Sequence, residues 1–111
     1  MYRGTTPTII LNLIGADLTS STVYVTFMQN TGINQVLFTK TNPDLSMMYD
    51  NDTDTTTIEV FLTQPETLSF TESDLAQLQV RWITSVGEAY ASPIKVIETK
   101  RILKEGVISY A

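Results

Sequence analysis

Apolar and polar residues alternate along much of the chain with a period of two, which places successive side chains on opposite faces of a β-strand. The clearest alternation lies in the ranges 22–28, 58–62 and 75–83. In the first of these, Val23, Val25 and Phe27 share one face, and Tyr24 and Thr26 share the other. Each segment is therefore predicted as a strand with one buried face.

The range from Leu75 to Ile97 is predicted as a long β-hairpin around which the rest of the domain is arranged. Its first limb places Val80 and Trp82 on the same face. The residues from Ser85 to Glu88 supply the turn, in which Gly87 is free to adopt positive φ without a Cβ penalty. Trp82 is predicted to lie on the buried face and to organise the core.

Further strands are predicted in the part of the chain that precedes this hairpin. The run from Thr8 to Ile14 has the length and isoleucine content of a buried strand. Asn30-Thr31-Gly32 is a turn signal, so residues 23–40 are predicted as a second hairpin. A short edge strand is predicted from Leu45 to Tyr49, followed by a polar loop from Asp50 to Asp54.

Two short helical turns are also predicted. One lies near residues 65–69, where Thr63 is a suitable cap and Glu66 lies at the positive end of the helix dipole. The other extends from Lys100 to Glu105 and ends at Gly106. Both are too short to change the fold class.

Together these elements predict an all-β fold, namely a single antiparallel β-sandwich of immunoglobulin-like shape with about seven strands. The 111 residues fit one domain, 1–111. Residues 1–7 are predicted as an extended N-terminal arm. Residues 100–111 are predicted as a C-terminal tail that ends in an apolar segment with little local structure to bury it.

Composition excludes several classes of function. The chain has no Cys and no His, so disulfides, thiolate metal sites and histidine chemistry are impossible. The formal net charge of −5 opposes binding to a phosphate backbone. The start of the chain has no signal-peptide pattern, and no apolar run approaches the roughly 20 residues of a membrane span. We expect no nucleic-acid or membrane partner, no cofactor and no bound metal.

The motif that most resembles a metal site is Asp50-Asn51-Asp52-Thr53-Asp54, because its three carboxylates occupy alternate positions, as in a calcium loop. The EF-hand spacing fails at three points. Thr55 stands where Gly makes the sharp turn, Thr57 where an apolar residue is usual, and Phe61 where the bidentate Glu belongs. A solvated loop between two strands is therefore predicted.

Two other groups of residues were weighed as sites. Glu66, Glu72 and Asp74 could be paired catalytic carboxylates, but no His or Lys accompanies them, so we predict surface charge and no enzyme activity. Trp82 with Tyr90 could form a platform that stacks on sugars. The competing interpretation makes Trp82 the largest packing element of the core.

Charge is distributed unevenly along the chain. From Thr41 to Asp74 every charged residue is acidic, at positions 44, 50, 52, 54, 59, 66, 72 and 74. Basic residues crowd the C-terminal end, at Lys95, Lys100, Arg101 and Lys104. Both regions could simply be solvated surface that keeps the domain soluble. Alternatively, an acidic face and a basic tail suit head-to-tail contact between copies of the chain.

Four stretches carry a family resemblance: the opening MYRGTTPT, the middle segment LTQPETLSF, the hairpin strand LQVRWITSVGEAYASPI and the ending RILKEGVI. Together they resemble a group of short phage and prophage proteins of Gram-positive bacteria. These proteins are similar in length and β-rich pattern to the N-terminal sandwich domain of phage baseplate upper proteins. The resemblance covers nearly the whole chain and implies a virion context in the tail module, with no catalytic residue to carry over.

The predicted function is therefore that of a structural virion protein, made in the bacterial cytoplasm and associated with the phage tail or baseplate. Its termini would dock on other phage structural proteins, and it would form a homo-oligomer within the particle. One alternative is a carbohydrate- or cell-surface-binding module that uses exposed aromatic residues such as Tyr24 and Tyr49. A head-decoration protein is a variant of the structural prediction.

Overall fold

The computed structural model describes residues 1–30, 35–72 and 75–110, and within them the chain folds into two antiparallel β-sheets. The strands are β1 (Thr8–Ile14), β2 (Thr22–Asn30), β3 (Gln35–Thr41), β4 (Leu45–Asp50), β5 (Thr55–Phe61), β6 (Leu75–Ile83), β7 (Ala89–Ala91) and β8 (Lys95–Glu98). A 3₁₀ turn spans Asn42–Asp44, and the helix α1 spans Gln64–Leu68.

The smaller sheet has the strand order β1-β5-β4, and the larger has the order β3-β2-β6, with β7 and β8 both paired to the free side of β6. This order matches the B–E–D and C–F–G sheets of an immunoglobulin sandwich without its first strand, and β3 is added beyond strand C. The prediction of an all-β, immunoglobulin-like sandwich is confirmed.

One core lies between the two sheets, because the inward positions of both alternate with outward ones. Its buried apolar residues are Leu11, Leu18, Val23, Val25, Phe27, Ile58, Val60, Leu62, Phe70, Ala76, Leu78 and Val80. Phe27 and Phe70 are the largest fully buried side chains, and the Phe38 ring packs between them, with centroids 5.0 Å and 5.7 Å away. Phe70 reaches this position directly after α1.

The prediction that Trp82 organises the core is wrong. Trp82 is only half-buried, at the last inward position of β6 before the hairpin turn. Its ring stacks on Tyr90, with a centroid separation of 5.6 Å. A side chain at this end of the strand packs against the rim of the core, and the centre is left to the phenylalanines.

The prediction that Thr8–Ile14 is a buried strand is wrong in its burial, although its bounds match β1. Only Leu11 is buried, while Ile9 and Leu13 are half-buried and Ile10 and Ile14 are exposed. The reason is that β1 lies at an edge of its sheet and pairs only with β5.

The hairpin predicted from Leu75 to Ile97 is confirmed, and its return limb is interrupted. Arg81 pairs with Ala91, whereas Leu78 pairs with Lys95. The three residues 92–94 therefore lie opposite the two residues 79–80, which is a β-bulge. Gly87 closes the turn at φ 89°, as predicted.

The second predicted hairpin is confirmed by the antiparallel pairing of β2 with β3, although Thr31 and Gly32 of its turn lie outside the described residues. The edge strand β4 and the polar loop after it match their predictions. The helical turn near residues 65–69 is also present, as α1, whose capping box joins Thr63 and Glu66.

The helical turn predicted from Lys100 to Glu105 is wrong, because this segment contains a β-bridge at Lys100 followed by bends and irregular chain. The backbone of Lys100 hydrogen-bonds to the N-terminal arm, donating to Met1 O and accepting from Arg3 N. Pairing with the arm holds the start of the tail in an extended conformation.

Candidate functional site

The two ends of the chain meet on one side of the sandwich. Tyr2 and Lys100 form a parallel β-bridge, and the Lys100 N–H donates to Met1 O over 2.7 Å. The N-terminal ammonium of Met1 donates to Glu98 O over 2.7 Å. The arm therefore continues the larger sheet past the end of β8.

Arg3 ties the arm to α1 and to the tail. Its Nε donates to Phe70 O over 2.5 Å, and its Nη2 donates to Leu68 O over 3.0 Å. Its Nη1 forms an ion pair with Glu105 Oε1 at 2.6 Å. Because Leu68 is the last residue of α1 and Phe70 follows it closely, the guanidinium provides donors for carbonyls at the helix C-terminus, where partners within the helix are lacking.

Gly4 allows the arm to lie this close to the tail. A Cβ at Gly4 would come within 3.0 Å of Ile102 Cδ1 and 3.2 Å of Leu68 Cδ2, and the residue has φ 70°. Gly4 is a local signal for an extended arm, but no local pattern indicates what packs against it, since Ile102 is almost a hundred residues away.

The tail beyond Gly106 is held against α1 by one side chain. Gln64 Nε2 donates to Ile108 O over 2.9 Å, and Ile108 N donates to Gln64 Oε1 over 2.8 Å. The tail carries exposed apolar and basic side chains and lies beside the N-terminal arm. We call residues 1–4 and 100–110 the terminal surface.

The terminal surface presents apolar groups to solvent. Leu103 is 90% exposed and Tyr110 is fully exposed, and Val107 and Ile108 are more than half exposed. Three basic residues lie among them, Lys100, Arg101 and Lys104. Lys100 Nζ lies 5.3 Å from the centre of the Tyr2 ring, within cation–π range.

Two of the three carboxylates considered as a catalytic group lie in the described part of the chain, and their surroundings differ. Glu66 is held by an ion pair with Lys40 Nζ at 2.7 Å and by the capping box with Thr63. Burial opposes its ionisation, but the Lys40 and Thr63 hydrogen bonds outweigh it and lower the pKa of Glu66. Glu72 lies exposed after α1, and Asp74 lies outside the described residues.

Two of the three carboxylates predicted in the loop after β4 accept hydrogen bonds from neighbouring donors. Asp54 Oδ1 accepts from the Tyr49 hydroxyl over 2.5 Å, and Asp50 Oδ1 accepts from Asp52 N over 2.9 Å. The bond to Asp54, with the charges of Asp54, Asp17 and Asp50, raises the pKa of Tyr49 to about 12. In the described part of the chain, no three Asp or Glu residues are arranged to hold a metal ion.

The aromatic residues considered for sugar binding are dispersed. Tyr24 lies on the outer face of the larger sheet, in a groove of about 380 Å³ that Arg81 and Ile83 also line. The prediction that Tyr49 is exposed is wrong, because it is half-buried on the face of β4 that it shares with Met47. Tyr90 is covered on one face by Trp82. Tyr90 donates to Glu88, which raises the pKa of its hydroxyl. Tyr24 and Tyr49 therefore do not share a surface.

No protein-family model matches the chain, and no curated protein sequence matches it. None of the helices in the described ranges is long and apolar enough to cross a bilayer. The terminal surface is the candidate functional site because it combines exposed apolar side chains with a backbone held in place by hydrogen bonds.

Proposed function

We propose that this protein is a non-catalytic structural component of a bacteriophage or prophage virion, associated with the tail or baseplate. It docks through the terminal surface on other virion proteins. The resemblance of the opening and the ending to short phage proteins supports this role. The structure adds a second observation in its support, because the opening and the ending of the chain lie side by side in the terminal surface.

The observation that carries the proposal is that the apolar side chains of the tail are exposed while hydrogen bonds hold its backbone in place. Exposed apolar patches mark interaction sites, and Leu103, Val107 and Tyr110 project from a segment that Gln64 fixes at Ile108. A segment that is already held loses less conformational entropy on binding than a free one. The basic residues around it would orient an acidic partner surface.

A deletion of residues 107–111 tests the proposal. We expect the shortened protein to remain folded and to be lost from purified virions, measured by circular dichroism and by quantitative mass spectrometry. Ile108 binds Gln64 only through backbone atoms. A variant with Val107→Ser, Ile108→Ser and Tyr110→Ser should therefore keep the tail in place and still lose incorporation.

Met48→Ser is the matched control, because Met48 is an equally exposed apolar residue on the smaller sheet. It should be incorporated as the wild type is. Normal incorporation of the serine variant would contradict docking through the tail, and an unfolded deletion product would mean that the tail belongs to the core.

Carbohydrate binding is the second candidate, and the groove beside Tyr24 favours it. Its walls combine an aromatic ring with Arg81, Thr26 and Thr39, which offer stacking and hydrogen bonds to a sugar. Trp82 lines the same groove. Glycan-array binding that is abolished by Tyr24→Ala, with a change in Trp82 fluorescence on adding the sugar, would favour this function.

A further inference from the structure

The outer edge of β1 carries unpaired backbone groups. Pro7 O accepts from Leu62 N, and Gly15 N donates to Asp54 O. These bonds flank the two ends of the β1–β5 ladder, and both belong to odd-numbered residues, one directly before and one directly after β1. Because hydrogen-bonded positions alternate in an antiparallel pair, the even-numbered residues point their N–H and C=O groups away from β5. These residues are Thr8, Ile10, Asn12 and Ile14.

Nothing within β1 blocks this edge. Proteins protect edge strands with charged residues, proline, bulges or a covering segment. The seven residues of β1 include no charge and no proline, and their pairing with β5 is continuous. The N-terminal arm covers the neighbouring edge of the other sheet only from Glu98 to Lys100.

An open groove lies beside the same edge, between β1 and the return limb of the hairpin. One part, about 340 Å³, is lined by Leu11 and Leu13 on one side and by Ser92 and Pro93 on the other. The adjoining part, about 400 Å³, is lined by Ile9 and Val96 among others. The groove reaches the core, where Leu78 and Val80 line it.

Positive charge lies beside the first half of β1. The Met1, Lys95 and Lys100 side of the groove also includes Glu98, and Glu59 lies opposite Ile10 on β5. Three cationic groups therefore accompany two carboxylates at this end. Lys95 also lines the part of the groove that Leu13 lines.

Negative charge lies at the other end of β1. Asp54 bonds Gly15 directly after the strand. Asp17 and Asp50 lie close by, since both act with Asp54 on the Tyr49 hydroxyl. Pairing with a second copy of β1 in the antiparallel direction brings the positive end of each strand to the negative end of the other. Parallel pairing would bring like charges together.

We propose that two copies of this chain form a dimer by antiparallel pairing of their β1 edges around a two-fold axis near Leu11. Thr8 then lies opposite the partner's Ile14, and Ile10 opposite the partner's Asn12. Four such pairs give about eight backbone hydrogen bonds across the axis. On the inner face Ile9 meets the partner's Leu13, and Leu11 meets the partner's Leu11. Pairing of the two β1 edges also covers the apolar walls of the groove.

The dimer does not depend on the virion proposal, since it uses β1 and, of the terminal surface, only Met1 and Lys100. The exposed side chains of Leu103, Val107 and Tyr110 stay free for a partner. A monomeric protein would overturn the dimer and leave docking through the tail to be judged by its own experiment.

Sedimentation velocity of the full chain at about 100 µM tests the proposal. We expect a species of twice the 12.4 kDa chain mass. Asn12→Pro removes an outward N–H and leaves the β1–β5 ladder intact, because proline is tolerated on edge strands at such positions. The dimer dissociation constant should rise by roughly tenfold or more, because the two-fold axis removes the hydrogen bond of residue 12 twice.

Asn12→Ala is the matched control, because it also loses the bond that Asn12 Oδ1 accepts from Thr57 Oγ1 but keeps the backbone N–H. It should dimerise as the wild type does. Amide hydrogen exchange of the wild-type protein provides a test without substitutions. The amides of Ile10, Asn12 and Ile14 should become protected as concentration rises.

Three results would overturn the proposal. The first is a monomer at the concentration stated above, and the second is a dimer that Asn12→Pro leaves unchanged. The third is a dimer in which the β1 edge amides exchange freely, which would place the contact on another surface. If Asn12→Pro fails to fold, the exchange measurement alone decides.

Discussion

A buried amide, Gln29, stabilises the core together with the phenylalanines. It occupies the inward position after Phe27 on β2, where the alternation favours an apolar residue, and it is 1% exposed. Its Oε1 accepts from Thr71 N over 2.6 Å, and its Nε2 donates to Thr71 O over 3.0 Å. The side chain thus acts like a strand partner for the segment after α1.

Replacing Gln29 with leucine should destabilise the protein by about 1–3 kcal/mol, although leucine is more hydrophobic. The reason is that the partly buried backbone of Thr71 loses both bonds to the Gln29 side chain, while the bond from the Thr99 hydroxyl to Thr71 O remains. Urea unfolding measures the change. Gln77→Leu, at a half-buried outward position of β6, should alter stability by less than about 0.5 kcal/mol. Equal effects of the two substitutions would contradict the role of Gln29.

The Lys40–Glu66 pair makes stability depend on pH. The folded-state pKa of Glu66 lies below its ordinary value of 4.5. Its contribution is therefore complete above that value and is lost as pH falls through the folded pKa. Glu66→Gln should cost about 1 kcal/mol at neutral pH, because the ion pair and part of the capping box are lost.

Urea unfolding of Glu66→Gln between neutral and acidic pH should show a smaller loss of stability than the wild type shows. A Lys40→Met background provides the control, because Glu66→Gln should have less effect once its partner is absent. A full effect in that background would show that Lys40 does not stabilise the carboxylate.

At the scale of elements, the hairpin was predictable and its bulge was not. Alternation at Val80 and the turn at Gly87 are local signals, so the sequence predicts two antiparallel limbs. The bulge depends on how Ser92 and Pro93 fit against β6. Val80 N donates to Ser92 Oγ over 3.0 Å, and Gln79 Nε2 donates to Ser92 O over 2.9 Å. No local period reveals such a pairing.

Ser92→Ala should destabilise the protein by about 1–2 kcal/mol, because the N–H of the buried residue Val80 loses its acceptor. Thermal and urea unfolding both measure this. Ser85→Ala, in the exposed turn of the same hairpin, is the control and should be close to neutral. If both serine substitutions were neutral, the hydroxyl of Ser92 would have no structural role.

The burial of a strand was harder to predict than its position. The bounds of β1 follow from the composition of Thr8–Ile14, but its place at a sheet edge depends on strand order, which a single strand does not encode. For the same reason Trp82 was assigned to the centre of the core. Its strand and face follow from the alternation, whereas its distance from the end of the sheet depends on how the strands are aligned, which the alternation does not show.

For the whole molecule, the all-β sandwich follows from the number and spacing of alternating segments. The closure of the two ends does not, because Arg3 and Glu105 are joined across 102 positions and neither belongs to a periodic segment. The candidate site was predicted only in part. The apolar tail was recognised at Val107, Ile108 and Tyr110, while its attachment through Gln64 required the fold.

Arg3→Gln should loosen the arm, the segment after α1 and the tail together. We expect a loss of about 2 kcal/mol in unfolding free energy, since a partly buried guanidinium and its carbonyl partners lose charge-assisted bonds. Hydrogen exchange should increase at Lys100 and Ile108 as well as in the arm. Arg101→Gln, at an exposed position, should change neither. An effect of Arg3→Gln confined to the arm would show that the ends are not coupled.

The central claim is that this protein is part of a virion and is anchored there by its two ends. A cryo-EM map of the purified particle tests this claim most directly, because it gives position, copy number and neighbours together. We expect the β-sandwich in the tail or baseplate, with Leu103, Val107 and Tyr110 buried against another structural protein. Absence of the protein from purified virions would contradict the claim, and so would a terminal surface that faces solvent.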